Sequence, residues 1–245
     1  MRIKVINPNT TASMTALIGA AAREVAGPGV LIDAVNPAHG PVSIEGHYDE
    51  ALACPGLLEE VRRGEAEGAD AYVIACFGDP GLDAAREVAS GPVIGIAEAA
   101  MRAASYLATG FSVVTTLERT VVVAEHLVVK YGMQSHCRSV RASDIAVLEL
   151  EDPKSDAYAR ILGECRRALD VDRSGAIVLG CAGMADLCER LGGELGVPVI
   201  DGVAAAVVTA EGLVRMKLRT SKTGDYARPL PKDYVGLLAA WAPRG

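Results

Sequence analysis

Two cysteines stand at matching places in the chain and could act together on one substrate. Cys76 follows the apolar residues 71–75, and Cys181 follows the similar residues 176–180, 105 residues further along. A thiolate removes a proton and a thiol returns one, so two cysteines on opposite sides of a carbon atom could move a proton from one face to the other. This chemistry requires one cysteine to be ionised while the other is protonated, with the roles exchanged for the opposite enantiomer.

The residues around each cysteine belong to a pattern that occurs twice. Cys76 precedes Pro92 by 16 residues, and Cys181 precedes Pro198 by 17. Apolar, β-rich runs separated by alanine-rich helical segments cover residues 3–6, 30–35, 71–75 and 93–96, and then residues 111–116, 137–142, 176–180 and 198–200. This alternation predicts an α/β fold with two pseudo-symmetric domains, each a mainly parallel sheet flanked by helices, and an active-site cleft between them.

The residues after Gly202 have no counterpart in the first half. We therefore expect the chain to cross back, so that residues 1–97 plus 210–245 form the first domain and residues 98–209 form the second. Residues 220–231 are rich in polar residues, glycine and proline, which is compatible with an ordered surface loop or with disorder.

Both cysteines are expected at the carboxyl ends of strands, where ligands bind in open parallel sheets. Each precedes a predicted helix, whose N-terminus would lower the pKa of the thiol from about 8.5 toward neutrality. Gly78 and Gly183 each lie two residues beyond a cysteine and would let the backbone come close to a ligand.

The composition restricts the class of partner. The chain has 24 basic and 31 acidic side chains, a net charge of −7 and no block of basic residues, which argues against nucleic acid and against an anionic membrane surface. No apolar stretch reaches the roughly 18 residues of a membrane span, and the N-terminal apolar run is too short for a signal peptide, so a cytoplasmic location is expected. The six cysteines should then be thiols. The spacing of cysteines and histidines predicts no metal site, and a small molecule is the expected partner.

Five segments together resemble a known family. They read INPNTT at residues 6–11, GPVSIEG at 40–46, ACFGDPGL at 75–82, PVIGI at 92–96 and GCAGM at 180–184. The chain is similar to the Asp/Glu/hydantoin racemase superfamily, and within it to the hydantoin racemase branch. The resemblance implies racemisation without a cofactor, by a catalytic cysteine pair that corresponds to Cys76 and Cys181. It also implies a homo-oligomer.

Departures from the amino-acid racemases of this superfamily indicate the substrate. Those enzymes typically follow the first cysteine with Asn-Thr, which suits an α-carboxylate, whereas Phe77 and Gly78 stand here. An uncharged ring such as a 5-substituted hydantoin fits better. Its C5 proton is acidified by the adjacent carbonyl, and the enolate oxygen could be met by N–H groups near Gly78 or Gly183.

The remaining candidates for substrate binding are assigned with help from the resemblance. We expect Asn9 and Thr116, at corresponding strand ends of the two halves, to hydrogen-bond ring heteroatoms, although Asn9 could instead cap a helix. Ile44 is expected to shape the side-chain pocket, and Ala182 belongs to the binding set. Phe77 could line the cleft or pack behind it.

Other functions fit parts of the sequence. Allantoin racemase and aspartate or glutamate racemase are the related alternatives, although Phe77 and Ile44 favour an apolar C5 substituent over a ureido group. A cysteine hydrolase with a strand-nucleophile-helix elbow would need a histidine after its nucleophile, and none follows His136, so this reading is open only for Cys76. A non-catalytic small-molecule binding protein would leave the paired thiols unexplained.

Overall fold

The computed structural model describes residues 1–152 and 154–243, which form two four-stranded parallel sheets. The first sheet contains β1 (Arg2–Ile6), β2 (Leu31–Val35), β3 (Ala71–Ile74) and β4 (Val93–Gly95), and the second contains β5 (Phe111–Thr115), β6 (Cys137–Ala142), β7 (Ala176–Leu179) and β8 (Val199–Ile200). The strand orders, β2-β1-β3-β4 and β6-β5-β7-β8, are equivalent. The predicted α/β fold with two similar halves is confirmed.

Helices connect the strands and pack against the sheets. They are α1 (Ala12–Val25), α2 (His47–Glu67), α3 (Leu82–Val88), α4 (Ile96–Leu107), α5 (Val121–Lys130), α6 (Ala157–Asp170), α7 (Cys188–Leu195) and α8 (Gly202–Arg215). Short 3-10 helices cover Glu118–Thr120, Val147–Glu151, Ala182–Leu187, Gly224–Tyr226 and Gly236–Trp241. Among the described residues, no helix combines the length and the apolar character that crossing a bilayer requires.

The central strands are apolar because protein covers both of their faces. Every residue of β3 and of β7 is buried, and their sequences, AYVI and AIVL, lack the polar alternation of a half-exposed strand. The edge strands β2 and β6 are only partly buried and carry charged side chains. The apolar runs that precede the two cysteines are therefore the central strands of their sheets.

The pairing register places the two cysteines at equivalent points. Strand β1 pairs with β3 in the register in which β5 pairs with β7, and β3 and β7 each end two residues before a cysteine. Ile6 thereby corresponds to Val114, so that Thr116 corresponds to Pro8. Asn9 thus lies one position beyond the counterpart of Thr116, and the two residues stand near corresponding strand ends of the two halves.

Helices α4 and α8 join the two halves. Helix α4 runs from β4 of the first sheet to β5 of the second, and α8 packs against α4, α1, β3 and β4. The chain thus returns to the first sheet with α8, while the division at residues 97 and 209 stays a prediction. The segment after α8 is hydrogen-bonded to the same half: the Thr220 hydroxyl donates to the Gly91 carbonyl at 2.6 Å, and the Tyr226 hydroxyl to Asp83 at 2.9 Å.

Close packing between α4 and α8 predicts that Gly202 resists substitution. A Cβ atom at position 202 would lie 2.8 Å from the carbonyl oxygen of Ile96 and 3.0 Å from its Cβ. Overpacking in Gly202→Ala should lower the free energy of unfolding, measured by urea denaturation, by about 1–3 kcal/mol. In the control Gly212→Ala, on the same helix, nothing lies within 4 Å of the new Cβ, and the free energy should rise by about 0.5–1 kcal/mol. Equal effects of the two substitutions would contradict this packing.

Candidate functional site

One cavity between the two sheets contains both cysteine side chains. It encloses about 590 Å³ when its open mouth is included. Eight of the nine residues predicted for the site line it: Asn9, Ile44, Cys76, Phe77, Gly78, Thr116, Cys181 and Ala182. The cavity therefore presents one thiol from each half to the same space.

Gly183 does not line the cavity, contrary to its assignment from the sequence. Its backbone instead supports the neighbouring thiol. The N–H of Gly183 donates to the Cys181 sulfur, and in the same way the N–H of Gly78 donates to the Cys76 sulfur. The glycine two residues beyond each cysteine thus hydrogen-bonds the thiol in both halves.

The backbone after the two cysteines differs between the halves. Cys181 caps the 3-10 helix Ala182–Leu187. After Cys76 the chain forms a turn, which is closed by the N–H of Asp79 donating to the Cys76 carbonyl at 3.0 Å, and α3 begins only at Leu82. A helix therefore follows Cys76 as expected, but only after this turn.

Burial controls the ionisation of Cys76. The residue is partly exposed because its thiol faces the cavity, but protein surrounds that cavity, and desolvation raises the pKa of the thiol strongly. The N–H of Gly78 lowers this pKa, while charges on Cys181 and Glu50 raise it further. A charge on Cys181 would thus act against ionisation of Cys76, which suits a pair in which only one thiol is ionised at a time.

Cys181 ionises more readily than Cys76 but is also a weak acid. Burial raises the pKa of its thiol to about 11, the N–H of Gly183 opposes this rise, and the charge of Glu45 adds to it. The expected lowering of both thiol pKa values toward neutrality was wrong, because desolvation outweighs the local N–H groups. Both thiols are protonated at neutral pH in this structure.

Asn9 combines the two roles considered for it. Its Oδ1 atom accepts from the Thr11 N–H at 2.9 Å and from the Asn7 amide at 2.8 Å, which organises the turn before α1. Its Nδ2 atom faces the sulfur of Met14 at 3.3 Å, a weak acceptor on the cavity wall. The amide NH2 group is therefore the part of Asn9 that a substrate oxygen could engage.

Threonines from the second half of the chain form a polar wall of the cavity. Thr116 is buried and lines the cavity together with Thr115 and Thr120. The hydroxyls of Thr115 and Thr120 are 3.1 Å apart, and the Thr115 hydroxyl donates to the Gly180 carbonyl at 3.2 Å. This wall supplies hydroxyl groups beside Cys181.

Glu50 is a cavity residue that the sequence reasoning missed. It lies in the first turn of α2, where an acidic side chain commonly does no more than favour the helix N-terminus. Here its carboxylate contacts Gly78 so closely that any side chain at position 78 would overlap it. Burial raises the pKa of Glu50, and His47, whose Nδ1 lies 3.4 Å from Glu50 Oε2, opposes this rise. The only signal in the sequence was its position just after the motif at residues 40–46.

Glu45 links the two halves at the edge of the cavity. Its Oε1 atom accepts a hydrogen bond from the N–H of Val147 at 3.0 Å, and both Val147 and the adjacent Ile44 line the cavity. In the sequence alone, a single carboxylate without an evident partner is typical of a solvated or helix-capping residue. In the structure it holds the first-half loop that carries Ile44 against the second half.

The other four cysteines, Cys54, Cys137, Cys165 and Cys188, are outside the described cavity lining. Burial raises the pKa of each of their thiols. Within the described ranges no group of three or more His, Cys, Asp or Glu side chains could hold a metal ion. The reactive groups that the cavity offers are therefore two thiols, one carboxylate and several amide and hydroxyl groups.

The chain is similar to known proteins over nearly its whole length. A profile described as Asp/Glu/Hydantoin racemase matches residues 3–210. A protein named hydantoin racemase from Rhizobium meliloti is 53% identical over 236 residues, which cover 96% of this chain and 98% of the relative. The similarity extends across both sheets and both cysteines.

Solved structures show the same fold. One described as allantoin racemase from Klebsiella pneumoniae has a TM-score of 0.97 and 56% identity, with 100% of both chains covered. Another, described as allantoin racemase from Pseudomonas fluorescens, has a TM-score of 0.93 and 43% identity and covers 96% of this chain and 100% of the other.

The raised pKa of Cys181 predicts slow alkylation at neutral pH. Because the thiolate is the reactive form and the pKa lies at about 11, the rate of alkylation by iodoacetamide should rise about tenfold per pH unit from 7 to 10. Mass spectrometry of the Cys76→Ser variant follows Cys181 without interference from the other cavity thiol, and glutathione serves as the exposed control. A rate that reaches a plateau by pH 8 would contradict this description of the site.

Proposed function

The chain belongs to the Asp/Glu/hydantoin racemase family and is thus an isomerase, and from that premise we propose that it interconverts the D and L forms of 5-monosubstituted hydantoins without a cofactor. The observation that carries the proposal is the single cavity into which Cys76 and Cys181 both open, one from each half. A racemase must reach both faces of one carbon atom, and this placement suits that requirement.

The proposed reaction is a proton transfer through two thiols. The thiolate of one cysteine takes the C5 proton, and the electron pair of the broken C–H bond moves toward the C4 carbonyl to form an enolate. The thiol of the other cysteine then delivers its proton to the opposite face of C5. At the end of the turnover, the two cysteines have exchanged their protonation states, and they serve the opposite enantiomer.

The two cysteines are not equivalent in this scheme. Burial raises the pKa of Cys76 further than that of Cys181, so Cys181 is the first to ionise as the pH rises. Cys181 therefore acts as the base for the enantiomer whose C5 proton faces it, and Cys76 acts as the acid. The N–H groups of Gly78 and Gly183 stabilise whichever thiolate forms, in place of the predicted contact with the enolate oxygen.

Substrate binding is assigned to the polar and apolar walls of the cavity. The Nδ2 group of Asn9 donates to a ring oxygen, and Thr116 lies where it can meet another ring heteroatom. Phe77 and Ile44, which line the cavity, are assigned to the C5 substituent, and Ala182 is assigned to the ring beside Cys181.

The cysteine pair is tested by following the optical rotation of an enantiopure 5-alkylhydantoin. Cys76→Ser and Cys181→Ser should each reduce racemisation by about 1,000-fold or more, because a serine hydroxyl is too weak an acid to replace a thiol that must act as both acid and base. The half-buried thiol variant Cys137→Ser should retain the wild-type rate, since Cys137 lies outside the cavity lining. Racemisation at the wild-type rate in either cavity variant would refute the assignment.

Glu50 favours a second candidate, racemisation of allantoin, whose C5 substituent is a ureido group. The carboxylate of Glu50 disfavours the reactive thiolate, because its charge raises the pKa of the neighbouring Cys76 thiol. A substituent that donates N–H groups would offset this effect by hydrogen-bonding the carboxylate. The two solved structures reported above are described as allantoin racemases, which agrees with this reading.

Glu50→Gln separates the two candidate substrates. If Glu50 binds a ureido group, the variant should lose about tenfold or more in kcat/KM for allantoin, as expected when a hydrogen bond to a charged group is lost. For a 5-alkylhydantoin, kcat/KM should be unchanged or higher, because removing the charge favours the Cys76 thiolate. Glu59→Gln, at an exposed site on the same helix, is the control. Equal losses for both substrates would exclude a ureido-specific role.

The homo-oligomer expected from the resemblance and the cytoplasmic location expected from the sequence both stay predictions. Light scattering on the purified chain measures the first directly.

A further inference from the structure

Asp79 lies three residues beyond Cys76 and is buried against the start of α4. The residue is 4% exposed and stands outside the described cavity lining. Its carboxylate accepts hydrogen bonds from the N–H groups of Ala97 at 3.1 Å and Glu98 at 3.0 Å, in the first turn of α4. In the sequence, an aspartate that precedes a proline, as Asp79 precedes Pro80, is typical of a turn. In the structure it fastens the Cys76 turn to the helix that connects the two halves.

The same carboxylate is bonded to the second half. The hydroxyl of Tyr131 donates to Asp79 Oδ2 at 2.6 Å, and Tyr131 is the C-terminal cap of α5, which packs against β5 and β6. The N–H of Asp79 donates to the carbonyl of Cys76 at 3.0 Å. A short chain of hydrogen bonds therefore runs from the second half, through Asp79, to the backbone of Cys76.

The local backbone shows that this arrangement is tightly determined. Asp79 has a φ of 44°, in the left-handed region that is uncommon for residues other than glycine. Its carboxylate also occupies the space in which a side chain at position 95 would lie, so that Gly95 leaves room for it. Three hydrogen bonds from other elements compensate for the unfavourable backbone conformation.

The charges around Asp79 affect which form of the carboxyl group is present. Facing it are Tyr131 from α5, Glu98 from α4 and Cys76 from the turn, while Arg86 from α3 pairs with Glu98 at 2.7 Å. Burial raises the pKa of Asp79 to about 7, and the hydrogen bonds from Tyr131 and α4 oppose this rise. The ionised form, which can accept all three hydrogen bonds at once, is lost as the pH falls through this value.

We propose that Asp79 and Tyr131 are a positioning pair that holds the Cys76 sulfur at its working distance from Cys181. Neither residue touches the substrate. The pair acts through the Cys76 turn, which it ties to the half of the molecule that carries Cys181. The proposal rests on the two-cysteine reaction described under the proposed function. The position of the sulfur matters in that reaction, because a displacement of about 1 Å in a reacting group can cost about 100-fold in rate.

Tyr131→Phe tests the pair with the loss of one oxygen atom. We expect kcat for racemisation to fall about tenfold or more, as for other hydrogen bonds to charged groups, while KM changes by less than about twofold because the substrate contacts remain. In deuterated water, the ratio of C5 exchange without inversion to inversion should rise, because a displaced second thiol returns protons to the far face less often. Polarimetry and proton NMR measure the two rates, and circular dichroism establishes that the variant is folded.

Two further variants make the test independent of a single substitution. Gly95→Ala keeps both Asp79 and Tyr131 in the sequence, but the added methyl group displaces the Asp79 carboxylate. It should change kcat and the exchange ratio in the same direction as Tyr131→Phe does. The wild-type kcat should change near pH 7, where Asp79 loses its ionised form, and this change should be absent in Asp79→Asn. The matched control Tyr106→Phe removes the hydroxyl of a tyrosine on α4 that is 84% exposed, and should leave kcat unchanged.

The outcomes distinguish this proposal from the one on which it rests. A wild-type chain that fails to racemise any hydantoin contradicts the proposed function. With an active wild type, the positioning role is overturned if folded Tyr131→Phe keeps the wild-type exchange ratio, or if Tyr106→Phe causes an equal loss.

Discussion

Enclosing two thiols in one cavity is the constraint on which the rest of this structure depends. Two sulfur atoms can act on one carbon atom only if the protein holds them on different walls of the same space. Each parallel sheet offers the carboxyl end of a central strand for this purpose. Strand β3 leads to Cys76 and β7 leads to Cys181, and both side chains open into the same cavity. The equivalent strand orders of the two halves make these positions equivalent.

The same enclosure makes the thiols difficult to ionise. Desolvation is the largest influence on both pKa values, and the N–H groups of Gly78 and Gly183 counteract it only in part. The proton donor is thus always available, while the thiolate is scarce at neutral pH. In return, interactions with a charged intermediate are stronger in such a cavity than in water. The carboxylates Glu50 and Glu45 act against the thiolates, so we assign them roles in substrate recognition and in closing the cavity edge.

Local patterns in the sequence were sufficient for the fold and for the cysteines. Fully apolar runs such as residues 71–74 and 176–179 predict central strands of parallel sheets, and a cysteine directly after such a run must lie at the edge where ligands bind. The pKa values were missed because desolvation depends on the whole cavity, whereas the helix N-terminus is a local feature.

Glu50 and Asp79 show why other parts of the site were not predictable. An acidic residue in the first turn of a helix and an aspartate before a proline each have an ordinary local explanation. Their contacts with Gly78 and with Tyr131 join segments that are 28 and 52 residues apart in sequence. Nothing in the local pattern indicates which distant segment a side chain will meet.

The most direct test of two-thiol chemistry is the position of deuterium early in the reaction. An enantiopure 5-alkylhydantoin is incubated with the wild-type chain in deuterated water, and product and remaining substrate are separated on a chiral column before 5% conversion and analysed by mass spectrometry. Proton removal by one thiol and delivery by the other predicts deuterium at C5 in nearly all of the product and in almost none of the recovered substrate. Equal deuterium content in both enantiomers from the first time point would indicate that a single base serves both faces, and would contradict the role assigned here to Cys76 and Cys181.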